Sequence, residues 1–256
     1  MFIEVDGIRT HYTDEGEGTP VLLLHGWGSS VDAFLGIRRA LSEHFRTIAL
    51  DFPGFGESDM IPQPWDVGDY VDFTLRFMRA LELRDPVLIG HSFGGRVILK
   101  MVGSGLANPE KIVLIDSAGV RHRRSLRARI RIAAFKTVKW FLLLPGIRRV
   151  SAGLLDRARK HFGSADYNSA PDVLRQTLVR VVNEDLCEYM PHIACPTLLI
   201  WGDQDKDTPL SDAKVMESRI PDCGLCVIKG AGHFSFLHSP FEVNAILNSF
   251  LGGEQA

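Results

Sequence analysis

The chain has 256 residues, enough for one domain of ordinary size with a substantial core, which excludes a miniature scaffold held by disulfides. Apolar residues at 45%, charged residues at 23% and a mean hydropathy of +0.04 are those of a folded globular chain, neither disordered nor a membrane bundle. The net charge of -2 gives no general attraction to nucleic acid, but it is unevenly spread: residues 121–160 hold thirteen Lys or Arg against one acid, Asp156. The rest of the chain is correspondingly acidic, and such asymmetry bears on partners and substrates.

Met1 leads straight into a strand-like stretch with no basic leader, apolar segment or small-residue cleavage site. The longest hydrophobic run, Trp140–Leu144, is far short of the roughly 20 residues that cross a bilayer. A cytoplasmic location is the expectation. The four cysteines, Cys187, Cys195, Cys223 and Cys226, make no disulfide framework. Cys223-Gly-Leu-Cys226 has no companion CxxC and runs into a strand-like stretch, so these are expected to be packing cysteines.

In chain order, Phe2-Ile-Glu-Val, the turn dipeptide Asp6-Gly7 and Ile8–Tyr12 predict a hairpin, because both residues of such a turn need positive φ. Val21–Leu24, Thr47–Leu50, Val87–Ile89, Ile112–Ile115 and Thr197–Ile200 are short, unbroken apolar runs. That is the pattern of parallel strands covered on both faces. Between them lie helical stretches over Ala33–His44, Gly68–Leu83 and Gly94–Gly103, the second with Val71, Leu75, Met78 and Leu81 on one stripe. Strand and helix alternate, so the fold class is α/β: a mostly parallel central sheet with helices on both faces. Ser239-Pro240 is expected to cap and begin a last helix that buries Val243, Ile246, Leu247 and Phe250.

From about Gly119 to Tyr189 the alternation stops and helix-like stretches follow one another. The expected organisation is a core of residues 1–119 and 190–256 with an all-helical cap inserted at 120–189, over the sheet end where open α/β sheets bind ligands. Leu126, Ile130, Ala133, Thr137, Trp140, Phe141 and Leu144 recur at helical spacing, leaving Arg123, Arg124, Arg127 and Arg131 largely on other faces. The plain reading is a cap helix with a solvated basic face. The sharper one is that this face contacts anionic lipid or an acidic substrate.

Gly90-His91-Ser92-Phe93-Gly94 follows a strand and opens a helix, the context in which G-x-S-x-G makes a nucleophile elbow. The serine stands at the tip of a tight turn, where flanking positions must lack bulky side chains. A serine hydroxyl needs a base, and the base an orienting carboxylate. Two strand ends offer them: Thr197–Asp205 runs into an acidic loop and Val227–His233 into a glycine-rich turn.

At this point the chain resembles the α/β-hydrolase family over nearly its full length. The matching pieces are His25-Gly26-Trp27-Gly28, Asp51–Ser58, Gly90–Gly95, Trp201–Asp205 with Pro209, and Gly230-Ala-Gly-His233-Phe. The resemblance implies Ser92 as nucleophile, His233 as general base and Asp205 as acid, with the amides of Trp27 and Phe93 as oxyanion donors. Asp203, Asp207 and Asp116 are rivals for the acid. His25, His91 and His238 read as packing or hydrogen-bonding residues around the site. No metal-ligand spacing, P-loop or dinucleotide motif is present, so no cofactor is expected. Serine at the elbow points to acyl transfer to water, with an ester of a mainly apolar acyl group as first choice. Thioester, lactone, amide or carbon–carbon bond hydrolysis, perhydrolysis, and ligand binding with little turnover stay open.

Overall fold

The computed structural model describes residues 1–121, 167 and 170–252. Two compact units divide the chain, Met1–Arg121 with Arg180–Ala256, and His122–Val179. The sheet belongs to the first. The amphipathic basic helix expected over 126–144 lies outside the described residues, as does most of the expected cap, and with them the contact with anionic lipid or acidic substrate. Residues 180–189 are described and are tied to the first unit. The Arg96 guanidinium donates to the Glu184 carbonyl at 2.7 Å, Lys100 Nζ meets Glu184 Oε1 at 2.6 Å, and the Leu186 amide donates to Gly119 O at 3.0 Å.

The strands are β1 (Phe2–Val5), β2 (Ile8–Glu15), β3 (Pro20–Leu24), β4 (Arg46–Leu50), β5 (Val87–His91), β6 (Ile112–Ile115), β7 (Thr197–Gly202) and β8 (Cys223–Ile228). They form one sheet in the order β1-β2-β4-β3-β5-β6-β7-β8, antiparallel from β1 to β4 and parallel elsewhere. The opening hairpin turns at Asp6 and Gly7 with φ of 52° and 76°, as an Asp-Gly turn requires. The five apolar runs are the five buried central strands, β3 to β7. The chain leaves β3 for β4 on one side and then crosses to β5 on the other. Open sheets of this kind receive ligands where the strand order reverses, here at the carboxyl ends of β3 and β5.

Helices α1 (Leu35–Leu41), α2 (Val67–Ala80), α3 (Phe93–Gly103), α4 (Asp172–Val181), α5 (Leu210–Arg219), α6 (Ser235–His238) and α7 (Pro240–Leu251) follow in order. Phe34, Ile37 and Leu41 join Phe236, Val243, Leu247 and Leu251 in one core against Val21, Leu23, Ile89, Val113 and Ile200. Helices α2 and α3 pack on each other. Two details differ from the sequence reading. The buried stripe of α2 is Val67, Tyr70, Val71, Phe73, Thr74, Phe77 and Met78, with Leu75 and Leu81 only half-buried. The aromatic rings, which offer the most apolar area to hide, turn the helix toward themselves. Its start is fixed by Asp66, which accepts the Gly68 and Asp69 amides while Asp69 accepts the Asp66 amide, a reciprocal cap. At α7, Pro240 occupies the first turn as expected, but the Ser239 side chain makes no cap bond. Among the described residues no helix is long and apolar enough to cross a membrane.

The strand-to-helix turn at Ser92 depends on two glycines. A Cβ on Gly94 would stand 1.9 Å from Leu24 O, and one on Gly90 2.6 Å from the Gly95 nitrogen, backbone contacts that cannot give way. Gly36, by contrast, sits in α1 at a position with nothing within 4 Å of an added Cβ. Gly94→Ala is therefore expected to lose at least about 1–3 kcal/mol of stability through overpacking, whereas Gly36→Ala gains about 0.5–1 kcal/mol from helix propensity. Urea unfolding of the two variants beside the wild type reads both signs.

Candidate active site

Ser92 lies one residue beyond β5, with φ 49° and ψ -105°, and its backbone is pinned from three sides. Its amide donates to Ile115 O at 3.1 Å, and its carbonyl accepts from Ala118 at 3.0 Å and from Arg96 at 3.3 Å. This conformation places Phe93 at the first position of α3, where the helix dipole adds positive potential to its free amide. The other expected donor, Trp27, follows β3 in the neighbouring loop. Neither the Trp27 nor the Phe93 amide meets a protein acceptor among the described residues. The two side chains touch edge to face, ring centroids 5.5 Å apart, and Phe55 packs on Trp27 at 4.8 Å. The packing beside the two donor amides is aromatic.

From the far side of the sheet, the loops after β7 and β8 bring in the other two expected residues. His233 Nε2 is 2.9 Å from Ser92 Oγ, and His233 Nδ1 is 2.8 Å from Asp205 Oδ2. Asp205 is buried and its second oxygen accepts the amides of Asp207 and Thr208 at 2.8 and 3.0 Å. Burial alone would raise the Asp205 pKa, but the bonds from His233 and Thr208 bring it below the ordinary carboxylate value. Burial likewise works against a charged His233, and is outweighed by Asp205, with Asp116 and Asp207 adding, so its pKa is raised.

Two of the three rival carboxylates are otherwise engaged, and the third is exposed. Asp116 is fully buried and spends one oxygen on the Gly202 amide at 2.8 Å and the other on the Ser235 amide at 2.9 Å. It ties the end of β7 to the segment after His233, and burial raises its pKa despite those bonds. Asp203 accepts the Gly230 amide at 2.7 Å, and Asp207 is exposed. One residue the sequence reading passed over is Thr208. Its hydroxyl is 2.7 Å from Asp205 Oδ2, 3.2 Å from His233 Nδ1 and 3.0 Å from Asp116 O, while its carbonyl accepts the Trp201 indole at 2.7 Å. Its place between Asp205 and Pro209, three residues from an acid whose side chain can take its amide, is the signal that was available.

Of the other histidines, His25 and His91 are buried and His238 is exposed. Among the described residues, the one group close enough to share a metal ion is Asp205, Asp207 and His233. Its two better-buried members already face each other in the hydrogen bond above. Cys223 and Cys226 are free thiols on β8, the first pushed up to about 12 by burial and the acids Glu217 and Asp222, hence an unreactive protonated group.

An eight-stranded α/β sheet with serine, histidine and aspartate converging at the carboxyl ends of its strands is the arrangement of one family. The sequence profile of the Alpha/beta hydrolase family matches residues 21–246, and the chain belongs to that family. Its relatives include the pimeloyl-[acyl-carrier protein] methyl ester esterase of Proteus mirabilis, 26% identical, with 93% of this chain and 95% of that protein covered. Among solved structures, an esterase from Exiguobacterium antarcticum is 26% identical with a TM-score of 0.77, covering 98% of each chain. A bacterial membrane phospholipase A is also 26% identical with a TM-score of 0.77, covering 99% of this chain and 85% of its own.

Two buried imidazoles beside the site set an acid limit on stability. His25 Nδ1–H donates to Gly26 O at 2.7 Å and its Nε2 accepts the Phe52 amide at 3.0 Å, so it is neutral, and burial lowers its pKa. Burial and the neighbouring His233 lower His91 to about 3. Unfolded, each takes a proton near pH 6.5; folded, each refuses it. Their stabilisation is present above that pH and is lost as pH falls, for His91 progressively toward about 3. The stability of the wild type relative to His91→Phe should therefore fall between pH 6.5 and pH 4 in urea titrations. A relative stability that rises on acidification would mean that His91 is charged in the fold.

Proposed function

We propose that the protein hydrolyses carboxylic esters of mainly apolar acyl groups through a covalent intermediate on Ser92. The observation that carries this reading is the unbroken relay from Ser92 Oγ to His233 Nε2 at 2.9 Å and from His233 Nδ1 to Asp205 Oδ2 at 2.8 Å. In that relay Nδ1–H donates to Asp205 and the Nε2 lone pair faces the hydroxyl, the tautomer a general base needs. Ser92 Oγ attacks the carbonyl carbon as its proton passes to His233 Nε2. The negative oxygen is held by the Trp27 and Phe93 amides, a contribution of a few kcal/mol, about 3 per donor. Collapse breaks the carbon–oxygen bond to the leaving alkoxide, which takes the proton from His233. Water then attacks the acyl-enzyme, giving a proton to the same nitrogen; the bond from Ser92 Oγ to the acyl carbon breaks, Oγ takes that proton back from His233, and the acid leaves.

The aromatic packing of Trp27, Phe55 and Phe93 supports an apolar acyl group, since such rings offer apolar contact and little hydrogen bonding. Esters rank first because an alkoxide leaves readily, and the relatives named above include two esterases and a phospholipase. The domain plan that goes with this reading is a helical cap inserted into the hydrolase core.

Two outcomes test it. A fluorophosphonate probe should label the wild type and leave Ser92→Ala unlabelled, and Ser92→Ala should lose about 10⁴-fold or more in kcat on p-nitrophenyl esters. An unlabelled wild type would turn the reading toward ligand binding. A panel that adds a thioester, a lactone and a diketone ranks the leaving groups, and preference for any of these over the esters overturns the ester assignment. Because the base acts only when neutral and its pKa is raised, kcat/KM should climb with pH through a midpoint above 6.5. Asp205→Asn should lower that midpoint while reducing kcat about 10⁴-fold. A rate that stays flat between pH 5 and 8 contradicts the role of His233.

A further inference from the structure

The site contains a second imidazole that the mechanism does not use. His91, the residue before Ser92, is buried, and its Nε2 is 2.8 Å from the backbone carbonyl of His233. A carbonyl only accepts, so Nε2 carries the hydrogen. The other nitrogen, Nδ1, has no hydrogen-bond partner among the described residues. An unpaired buried nitrogen costs free energy of about 1–3 kcal/mol, and an apolar ring of similar size would avoid that cost. Leucine or phenylalanine would suit a purely packing role better, which directs attention to the one bond the ring does make.

That bond lies where the base is aimed. His233 follows β8 in a glycine-rich turn, and its ring must present Nδ1 to Asp205 and Nε2 to Ser92 at once. The ring of His91 lies 5.0 Å from the ring of His233 at an interplanar angle of 50°, and is backed by Phe234 at 4.9 Å and Phe236 at 5.1 Å. On its other side it meets the oxyanion loop: a Cβ on Gly26 would stand 2.7 Å from His91 Nδ1. One side chain, adjacent in sequence to the nucleophile, thus touches both the base and the loop that carries Trp27.

We infer that His91 is a positioning residue, whose Nε2–H fixes the backbone of His233 and whose ring supports the imidazole, so that the base keeps its aim at Ser92 Oγ. This rests on the reading of Ser92 and His233 as nucleophile and base. Neutrality is built in, since burial and the neighbouring His233 and His25 disfavour a second proton. The bond also accounts for the choice of histidine: a donor is required at the distance of Nε2 from the chain, which glutamine reaches and asparagine does not.

The test compares wild type, His91→Phe, His91→Gln and His91→Asn on p-nitrophenyl acetate and by imidazole NMR. His91→Phe keeps a ring and loses the donor, so kcat should fall about 10–100-fold, the scale of a misaimed group, with KM changed less than about twofold. His91→Gln should restore kcat to within about fivefold of wild type, and His91→Asn should not. The downfield proton on His233 Nδ1, identified by its absence in Asp205→Asn, should persist in His91→Gln and broaden or vanish in His91→Phe. A kcat for His91→Phe within twofold of wild type, or equal losses in Gln and Phe, overturns the proposal. If His91→Phe does not fold, equal kcat in the Gln and Asn variants overturns it. Should the wild type itself fail to label and to hydrolyse, the ester reading falls, and the His233 proton alone decides: unchanged in His91→Phe, or in His91→Asn where that variant replaces it, it removes the role proposed for His91.

Discussion

The backbone of Ser92 is the constraint on which the site depends. A non-glycine residue at φ 49° and ψ -105° is strained by an amount on the order of 1–3 kcal/mol, and it persists only where the surroundings over-determine it. Here they do. Strand β5 delivers the chain in register with β6, His91 opposite Ile115, and three backbone hydrogen bonds hold the turn. Gly90 allows the helix to start directly against β5, and Gly94 allows it to pass close to Leu24 at the end of β3. Glycine at 92 would relieve the strain and remove the hydroxyl. The conformation that lifts Oγ from the sheet also places the Phe93 amide at a helix start, so nucleophile and oxyanion donor come from one turn.

The strained backbone of that turn does not by itself deliver the base, which lies 141 residues further along the chain. The link is made at the end of β6. Asp116 takes the Gly202 amide with one oxygen and the Ser235 amide with the other, so one buried carboxylate aligns the loop bearing Asp205 with the segment bearing His233. Both oxygens are turned to these amides, so Asp116 acts on His233 through its charge and not through a hydrogen bond. Asp205 has one oxygen turned toward His233, with Thr208 completing its coordination. The two acids differ accordingly, Asp116 raised by burial and Asp205 lowered by its donors, and Asp205 is the one that meets His233 in a hydrogen bond.

The sheet was legible because strands hidden on both faces need a continuous apolar run, and each of β3 to β7 contains one. The elbow was legible because a strand, a glycine-flanked serine and a helix are contiguous. Finer features were not, for a common reason. The stripe of α2 was misplaced because aromatic residues within it outweigh the aliphatic ones that share its period. The choice between Asp205 and Asp116 turns on backbone amides, Gly202 and Ser235, whose approach depends on the folded loops. Thr208 and His91 act through contacts 25 and 142 residues apart, which periodicity does not encode.

The same ion pair that organises the base also sets stability and chemistry against each other. A histidine whose folded pKa is raised stabilises the fold in its protonated form, fully below about pH 6.5 and less as pH rises through the folded value. General-base chemistry needs the other form. As pH rises the site thus gives up the charge attraction between His233 and Asp205 and gains a lone pair on Nε2. The orientation must then be kept by bonds that do not need a charged imidazole: Nδ1–H to the Asp205 carboxylate, the Thr208 hydroxyl, and the His91 donor on the His233 carbonyl. A base that works only after its own charge is gone requires contacts that hold a neutral ring, and Asp205, Thr208 and His91 supply them.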